Sequence, residues 1–415
     1  MVSATVERLQ VAVESGLFLT GSKVFLGGSM DAKTGAQKKL LGVRNHLVGL
    51  SHRIHANPEL RFEETQASVL LAESLAKSGF VVETGVCDLP TAFIARAGNG
   101  PLHIAICAEY DALPGVGHAC GHNMIAAMAV GAGIAAAQVA DDVGLTISVI
   151  GTPAEEGGGG KLFMLDRGGF KGVHAAMMIH PAPHESPTPN IIASSRLEAR
   201  YTGKSAHAAA APHVGINAAD AMTIAQTAIA LLRQQILPTD RIHGIITDGG
   251  DAPNIIPAHT AAQYSVRSQT AEQLTTLRPR VDRCFEAGAL ATGATLEIIE
   301  GIKYAQMQHD IGIATIYQQN AEALGRRFGA RIGEAQEPGG STDMGNISLA
   351  IPSIHPNISI DCSPAVNHQP EFAAHCITET ADKAVIDGAT AMAWTAIDLA
   401  LDVDTRNRLT ESVSA

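Results

Sequence analysis

The sequence predicts an α/β protein, a mostly parallel sheet flanked by helices and interrupted by a smaller α+β domain. Three observations carry this. Between residues 80 and 180, short apolar runs alternate with helical patterns, the sequence form of strand–helix–strand units. Two of those runs, 102–107 and 145–150, are mostly apolar and read as strands buried on both faces. From residue 191 the texture changes to apolar–polar alternation, with elements in the order β-α-β-β-α-β, a split ferredoxin-like arrangement.

Taken in order, residues 37–56 carry helical apolar spacing through Leu40, Leu41, Val43, Leu47, Val48 and Ile54, which Pro58 ends. A second helix over 64–78 stops at Gly79. Strands follow at 80–83, 92–96 and 102–107, then an Ala/Gly-rich helix over 124–140 and a strand over 145–150. A helix at 162–167 leads to a strand at 175–179. The inserted part reads as strands at 191–202, 242–247, 259–268 and 295–300, with helices at 218–233 and 274–291. A helix over 310–328, a polar turn at 339–346, a strand-like run at 351–360 and a long helix over 376–401 complete the chain, and the polar tail after Asp402 reads as frayed. The domains implied are 36–192 with 304–405, an insertion at 193–303, and an N-terminal extension over 1–35.

Composition narrows the function. The chain has 415 residues, a net charge of -12 and no long basic run, which argues against nucleic acid as a partner. Glu7, Glu14 and Lys23 interrupt the apolar N-terminal stretch, so neither a signal peptide nor a membrane partner is expected. Six cysteines without framework spacing imply reduced thiols and a cytoplasmic location.

The chemistry gathers where strands end. His118-Ala-Cys-Gly-His-Asn123 follows the strand at 102–107, Glu155-Glu156 follows the strand at 145–150, and His180 follows the strand at 175–179. In α/β sheets, sites form at carboxyl ends of strands, so Asp111, Cys120, His122, Glu155, Glu156 and His180 are placed to converge. Alone, each has a bland alternative: a buried thiol beside a loop histidine, a solvated Glu-Glu pair, a strand-end histidine. Together with His368 they make a mixed sulfur, nitrogen and oxygen set suited to two transition-metal ions and poorly suited to magnesium or calcium. Adjacent glutamates can divide the work, one binding metal and the other serving as general base. A different use, Cys120 as a nucleophilic or redox thiol, lacks a resolving cysteine nearby in sequence.

Six segments then resemble the M20 metallopeptidase and amidohydrolase family, in the branch of amino-acid amidohydrolases: Asp111-Ala-Leu-Pro, His118-Ala-Cys-Gly-His-Asn, Gly151-Thr-Pro-Ala-Glu-Glu-Gly, Met178-Ile-His-Pro, Gly203-Lys-Ser-Ala-His-Ala and Asn254-Ile-Ile-Pro. The resemblance implies a zinc-exopeptidase-like catalytic domain whose Cys120, His122, Glu156, His180 and His368 hold two divalent ions, zinc or manganese foremost, with cobalt and nickel also compatible. It implies Glu155 as general acid/base, Asp111 supporting the ligands from behind, and Asn254 and Arg267 on the substrate. It further implies that the inserted domain is a lid and homodimerisation surface, from which His207 reaches the partner's site to stabilise an oxyanion. Where the wider family carries a ligand histidine before the Leu-Pro turn, this chain has Glu109. The segment 340–345 is similar to the subgroup acting on aminobenzoyl-glutamate and on unusual dipeptides. The substrate implied is an N-acyl or N-aroyl amino acid, with a dipeptide as the alternative in the same chemistry and a non-catalytic binding protein as the alternative outside it.

Overall fold

The computed structural model describes residues 21–329, 332 and 339–412. Helices α1 (Gly21–Gly42) and α2 (Arg44–Ala56) stand where one helix is expected over 37–56, the break falling at Val43. The expected boundary at residue 35 falls inside α1. Lys33 pairs with Asp398 at 2.5 Å, and its carbonyl accepts from Trp394 Nε1 at 3.0 Å, so the last residues of the expected extension are fastened to the long helix Glu379–Leu401. Residues 1–20 of that extension lie outside the described residues.

The chain continues through α3 (Thr65–Lys77), β1 (Val81–Thr84), β2 (Phe93–Ala97), β3 (Leu102–Ala108), α4 (His122–Ala137), α5 (Ala140–Val143), β4 (Leu145–Gly151), α6 (Gly160–Asp166), β5 (Ala175–Met177) and β6 (His180–Ala182). The insertion contains β7 (Ala193–Thr202), α7 (Ala218–Leu232), β8 (Arg241–Asp248), β9 (His259–Ser268), α8 (Ala271–Thr292) and β10 (Thr295–Tyr304). Then come α9 (Ile311–Ala323), α10 (Met344–Ala350), β11 (Ser353–Ile354), β12 (Asn357–Ser359), α11 (Pro370–His375), α12 (Glu379–Leu401) and α13 (Val403–Ser412).

The large sheet has the order β1-β2-β4-β3-β5-β11. Its β4-β3-β5-β11 half is parallel, while β1 and β2 attach antiparallel, so the sheet is mixed with a parallel heart. Ile104, Ile106, Ile147 and Val149 are fully buried in it, each contributing about 1.5–3 kcal/mol. Nearly every side chain of α4 is buried as well, which explains its lack of a polar face. The inserted sheet is antiparallel with the order β10-β7-β9-β8, matching the ferredoxin-like expectation. Its Leu197, Tyr201, Tyr264 and Val266 pack with Phe285 and Met222 of the two helices into a separate core.

Three local expectations need correction. The strand-like run at 351–360 splits: β11 joins the large sheet and β12 pairs with β6, because the chain crosses from one sheet to the other at His355-Pro356. The polar turn at 339–346 gives way to α10 from Met344. The tail after Asp402 is helical rather than frayed, with Asp402 Oδ1 accepting from the Thr405 backbone at 2.7 Å as a helix cap.

Candidate metal centre

The centre is assembled at the carboxyl ends of β3 and β4 and at β6. β3 leads into Glu109-Tyr110-Asp111, all buried. The chain returns through a loop to Gly121, whose φ is 75°. A Cβ there would stand 2.8 Å from Pro181 Cγ, so glycine both permits the left-handed turn and lets His122 open α4 against β6.

Asp111 holds two parts of the site in register. His122 Nδ1 donates to Asp111 Oδ1 at 3.0 Å, with the Asp111 carbonyl 2.9 Å away. Asp111 Oδ2 accepts from the Glu156 backbone N–H at 2.9 Å. The first bond fixes the imidazole so that Nε2 carries a lone pair facing the cavity. His180 is fixed the same way, Nδ1 donating to the Pro181 carbonyl at 2.8 Å. β4 leads to Ala154, a non-glycine residue at φ 60° whose N–H donates to the buried Glu64 at 2.9 Å. Glu155 follows, its carbonyl accepting from Tyr304 of the inserted sheet at 2.7 Å.

Ligand-type atoms of Cys120, His122 and His180 lie within 4.8 Å of one another, and so do those of Cys120, Glu156 and His368. Cys120 is common to both groups, so the five residues expected as ligands converge. His368 Nε2 lies 3.9 Å from Glu156 Oε2, its backbone held at φ 72°. A third group joins Glu109, His122 and Glu155. His122 Nε2, Glu109 Oε2 and Glu156 Oε1 are buried without hydrogen-bond partners. Orphaned donors and acceptors of this kind are costly unless something binds between them, and a thiol, two imidazoles and several carboxylates fit a divalent transition metal.

The electrostatics agree. Burial pushes Glu155 well above the usual carboxylate range, and the charges of Glu109, Glu156 and Asp343 add to it. Burial opposes a charged His122, yet Asp111, Glu109 and Glu156 raise it well above its ordinary value. The carboxylates around His122 and Glu155 thus concentrate negative charge, which favours a bound cation. Burial and Glu156 push the Cys120 thiol up, the opposite of what a free nucleophilic thiol needs.

Beyond the residues expected as ligands, the structure adds several participants. Glu109 is fully buried and part of the cluster, with its second oxygen bound by Lys161 Nζ at 2.5 Å. Lys161, itself fully buried, also binds Asp343 Oδ1 at 2.7 Å. His355 is buried and stacks on His180 with ring centroids 5.5 Å apart. No spacing rule points to Lys161 or His355.

Arg267 lines the same cavity of about 300 Å³ as Cys120, Glu155, Glu156, His180 and His368, with Nη1 donating to Ser341 at 3.1 Å. His207 and Asn254 do not line it. They neighbour each other, the Ala208 N–H donating to the Asn254 carbonyl at 3.0 Å, on an exposed loop of the inserted sheet.

The peptidase dimerisation domain of the M20 family matches residues 192–292. A Xaa-Arg dipeptidase of Mus musculus is 36% identical over 382 residues, 88% of this chain and 88% of that one. A p-aminobenzoyl-glutamate hydrolase subunit of Escherichia coli (strain K12) is 34% identical over 275 residues, 61% of this chain and 57% of that one. A dinuclear metal-binding peptidase of the M20 family from Bacillus subtilis superposes with a TM-score of 0.65 over 86% of this chain and 98% of that one, at 22% identity. With more than a third of positions identical across 88% of both chains, the protein belongs to the M20 family of metallopeptidases and amidohydrolases, which hydrolyse amide bonds with the help of divalent metal.

Proposed function

We propose that this protein is a two-metal amidohydrolase that cleaves the amide bond of an N-acyl or N-aroyl amino acid, aminobenzoyl-glutamate being the first candidate. The observation that carries it is the convergence of ligand-type atoms from Cys120, His122, Glu156, His180 and His368 beside Glu155, with His122 Nε2 and Glu156 Oε1 buried without hydrogen-bond partners. Bound divalent ions would supply Lewis acidity, polarising the amide carbonyl and making a water more acidic.

Glu155 takes the proton of the attacking water as its oxygen bonds to the amide carbon. It then delivers that proton to the nitrogen as the C–N bond breaks. Its environment suits the task, because burial and neighbouring carboxylates favour the protonated form that Glu155 must hold between the two steps. Tyr304 anchors the Glu155 backbone, so the inserted sheet helps aim the base. Arg267 binds the carboxylate of the amino-acid half as a charge-assisted donor; its Nε is buried without a partner.

His207 accepts from the Ala209 and Ala210 N–H groups at 3.3 and 3.1 Å through Nδ1, which places its proton on Nε2 as a donor. Its position outside the cavity suits a role across a homodimer, with Asn254 beside it. The edge strand β8 exposes Ile245 and Ile246, and α7 exposes Leu231, an apolar surface on the inserted domain available to a second copy. A dipeptidase reading uses the same groups and is favoured by the similarity to the Xaa-Arg dipeptidase.

The test pairs metal content with turnover. Wild-type protein is expected to hold near two metals per chain and hydrolyse acyl-amino acids or dipeptides, and Glu155→Ala to keep the metals while losing about 10²–10⁴-fold in kcat. Undiminished turnover in that variant refutes the role of Glu155; failure to take up metal refutes the ligand set.

A further inference from the structure

Two guanidinium groups, not one, face the cavity. Arg196 of β7 and Arg267 of β9 both line it. Their placement follows from strand register. Ser194 pairs with Arg267 and Arg196 pairs with Ser265, so the two arginines are diagonal neighbours on one face of the inserted sheet. Diagonal side chains lie roughly 7–8 Å apart at their bases, within reach of long side chains. The opposite face of those strands packs on α7 and α8 through Leu197 and Val266.

Arg196 lies against the Glu155-Glu156-Gly157 turn. A Cβ on Gly157 would stand 1.8 Å from Arg196 Nη1, so the glycine leaves the room that the guanidinium fills. Arg61 Nη1 flanks the same glycine, 3.2 Å from that Cβ position. Among the described residues no carboxylate forms an ion pair with Arg196 or with Arg267. The only acidic residues among the described lining are Glu155 and Glu156, already occupied as base and ligand. Burial and then the Arg196 charge lower the pKa of Arg267, with the Glu155 charge opposing them.

We infer that Arg196 is a specificity-determining residue, and that the amino-acid half of the substrate is acidic, with Arg267 on its α-carboxylate and Arg196 on its side-chain carboxylate. This rests on the amidohydrolase reading above and refines it. A glutamate- or aspartate-like leaving group brings two carboxylates to two guanidinium groups, each able to form paired hydrogen bonds. A lysine or arginine side chain in the same place would meet like charge, so this chain differs in preference from what the name of the Xaa-Arg dipeptidase describes.

The experiment compares kcat/KM for four N-(4-aminobenzoyl) amino acids, those of glutamate, glutamine, leucine and arginine, in the metal-loaded full-length enzyme and in Arg196→Gln and Arg196→Glu. In the wild type the glutamate-to-glutamine ratio is expected to be on the order of 10–100. Arg196→Gln should bring that ratio down by at least tenfold, and Arg196→Glu should turn the glutamate-to-arginine preference around, a reversal that loss of folding does not produce. A wild-type ratio near one, or a ratio that both variants leave unchanged, overturns the assignment of Arg196 while leaving the amidohydrolase standing. Absence of turnover of all four, and of matching dipeptides, with metals bound overturns both.

Discussion

Asp111→Asn is the sharpest perturbation of the centre, because an amide can satisfy only half of what the carboxylate does. One oxygen of Asp111 accepts from His122 Nδ1 at 3.0 Å and the other from the Glu156 N–H at 2.9 Å. Asparagine has a single acceptor oxygen, and its NH₂ must face one of those two donors. If it faces Glu156, two N–H groups meet and the Glu155-Glu156 turn shifts. If it faces His122, the ring must move its proton to Nε2, the atom needed for the metal. Loss of the charge also removes the largest influence raising His122, which makes the imidazole a weaker base and ligand. Losses of outer hydrogen bonds of this kind cost about 10–100-fold in metal affinity, which is about 1.4–2.7 kcal/mol. Competition against a chromophoric chelator, with zinc and with manganese, measures this directly, and circular dichroism checks that the variant is folded. Affinity within twofold of the wild type would refute the view that Asp111 sets the ligand geometry.

Two further outcomes are expected. Lys161→Met should destabilise the fold by about 3–5 kcal/mol, since it strips the partner from the buried Glu109 and Asp343, and the loss should shrink when metal is added to the cluster that Glu109 joins; urea unfolding with chelator and with excess zinc checks it, and an equal loss in both conditions speaks against Glu109 facing the metals. His103, hydrogen-bonded to Ser148 at 2.7 Å, is held down to about 4 by burial, from an ordinary value of 6.5, so it is neutral in the fold but takes up a proton when unfolded. Its contribution is therefore full above pH 6.5 and is lost as pH falls toward 4. After discounting for its partly exposed ring, His103→Gln should flatten that decline by about 1–2 kcal/mol in unfolding measured with chelator between pH 7 and 4.5, and an unchanged slope contradicts the assignment.

The parallel heart of the large sheet was legible because β3 and β4 are buried on both faces and their runs are mostly apolar, interrupted only by His103, Thr146 and Ser148. The inserted sheet was legible because β7 and β9 alternate, one face on helices and one face polar. Helix ends were less so. Thr378, whose side chain accepts from the Ala381 N–H at 3.3 Å, starts α12 later than apolar spacing suggests, although a threonine followed by Glu379 and Asp382 is a visible cap signal. Asp402 gives the same signal for α13, and polarity after it outweighed the cap.

Among the residues proposed as ligands, local motifs pointed to Cys120, His122, Glu156 and His180, each in a short segment that follows a strand, whereas His368 entered only as a member of the whole set. By itself, then, the sequence determined the order of elements, the two sheets and the strand ends at which chemistry could collect. Only the tertiary structure decided which charges meet. Lys161 joins Glu109 and Asp343 across 52 and 182 residues of chain, and Arg196 reaches the Gly157 turn from another sheet. Hydrophobic periodicity is a local property of the chain, whereas the cost of burying a charge, and the partner that offsets it, exist only once distant strands have closed around it.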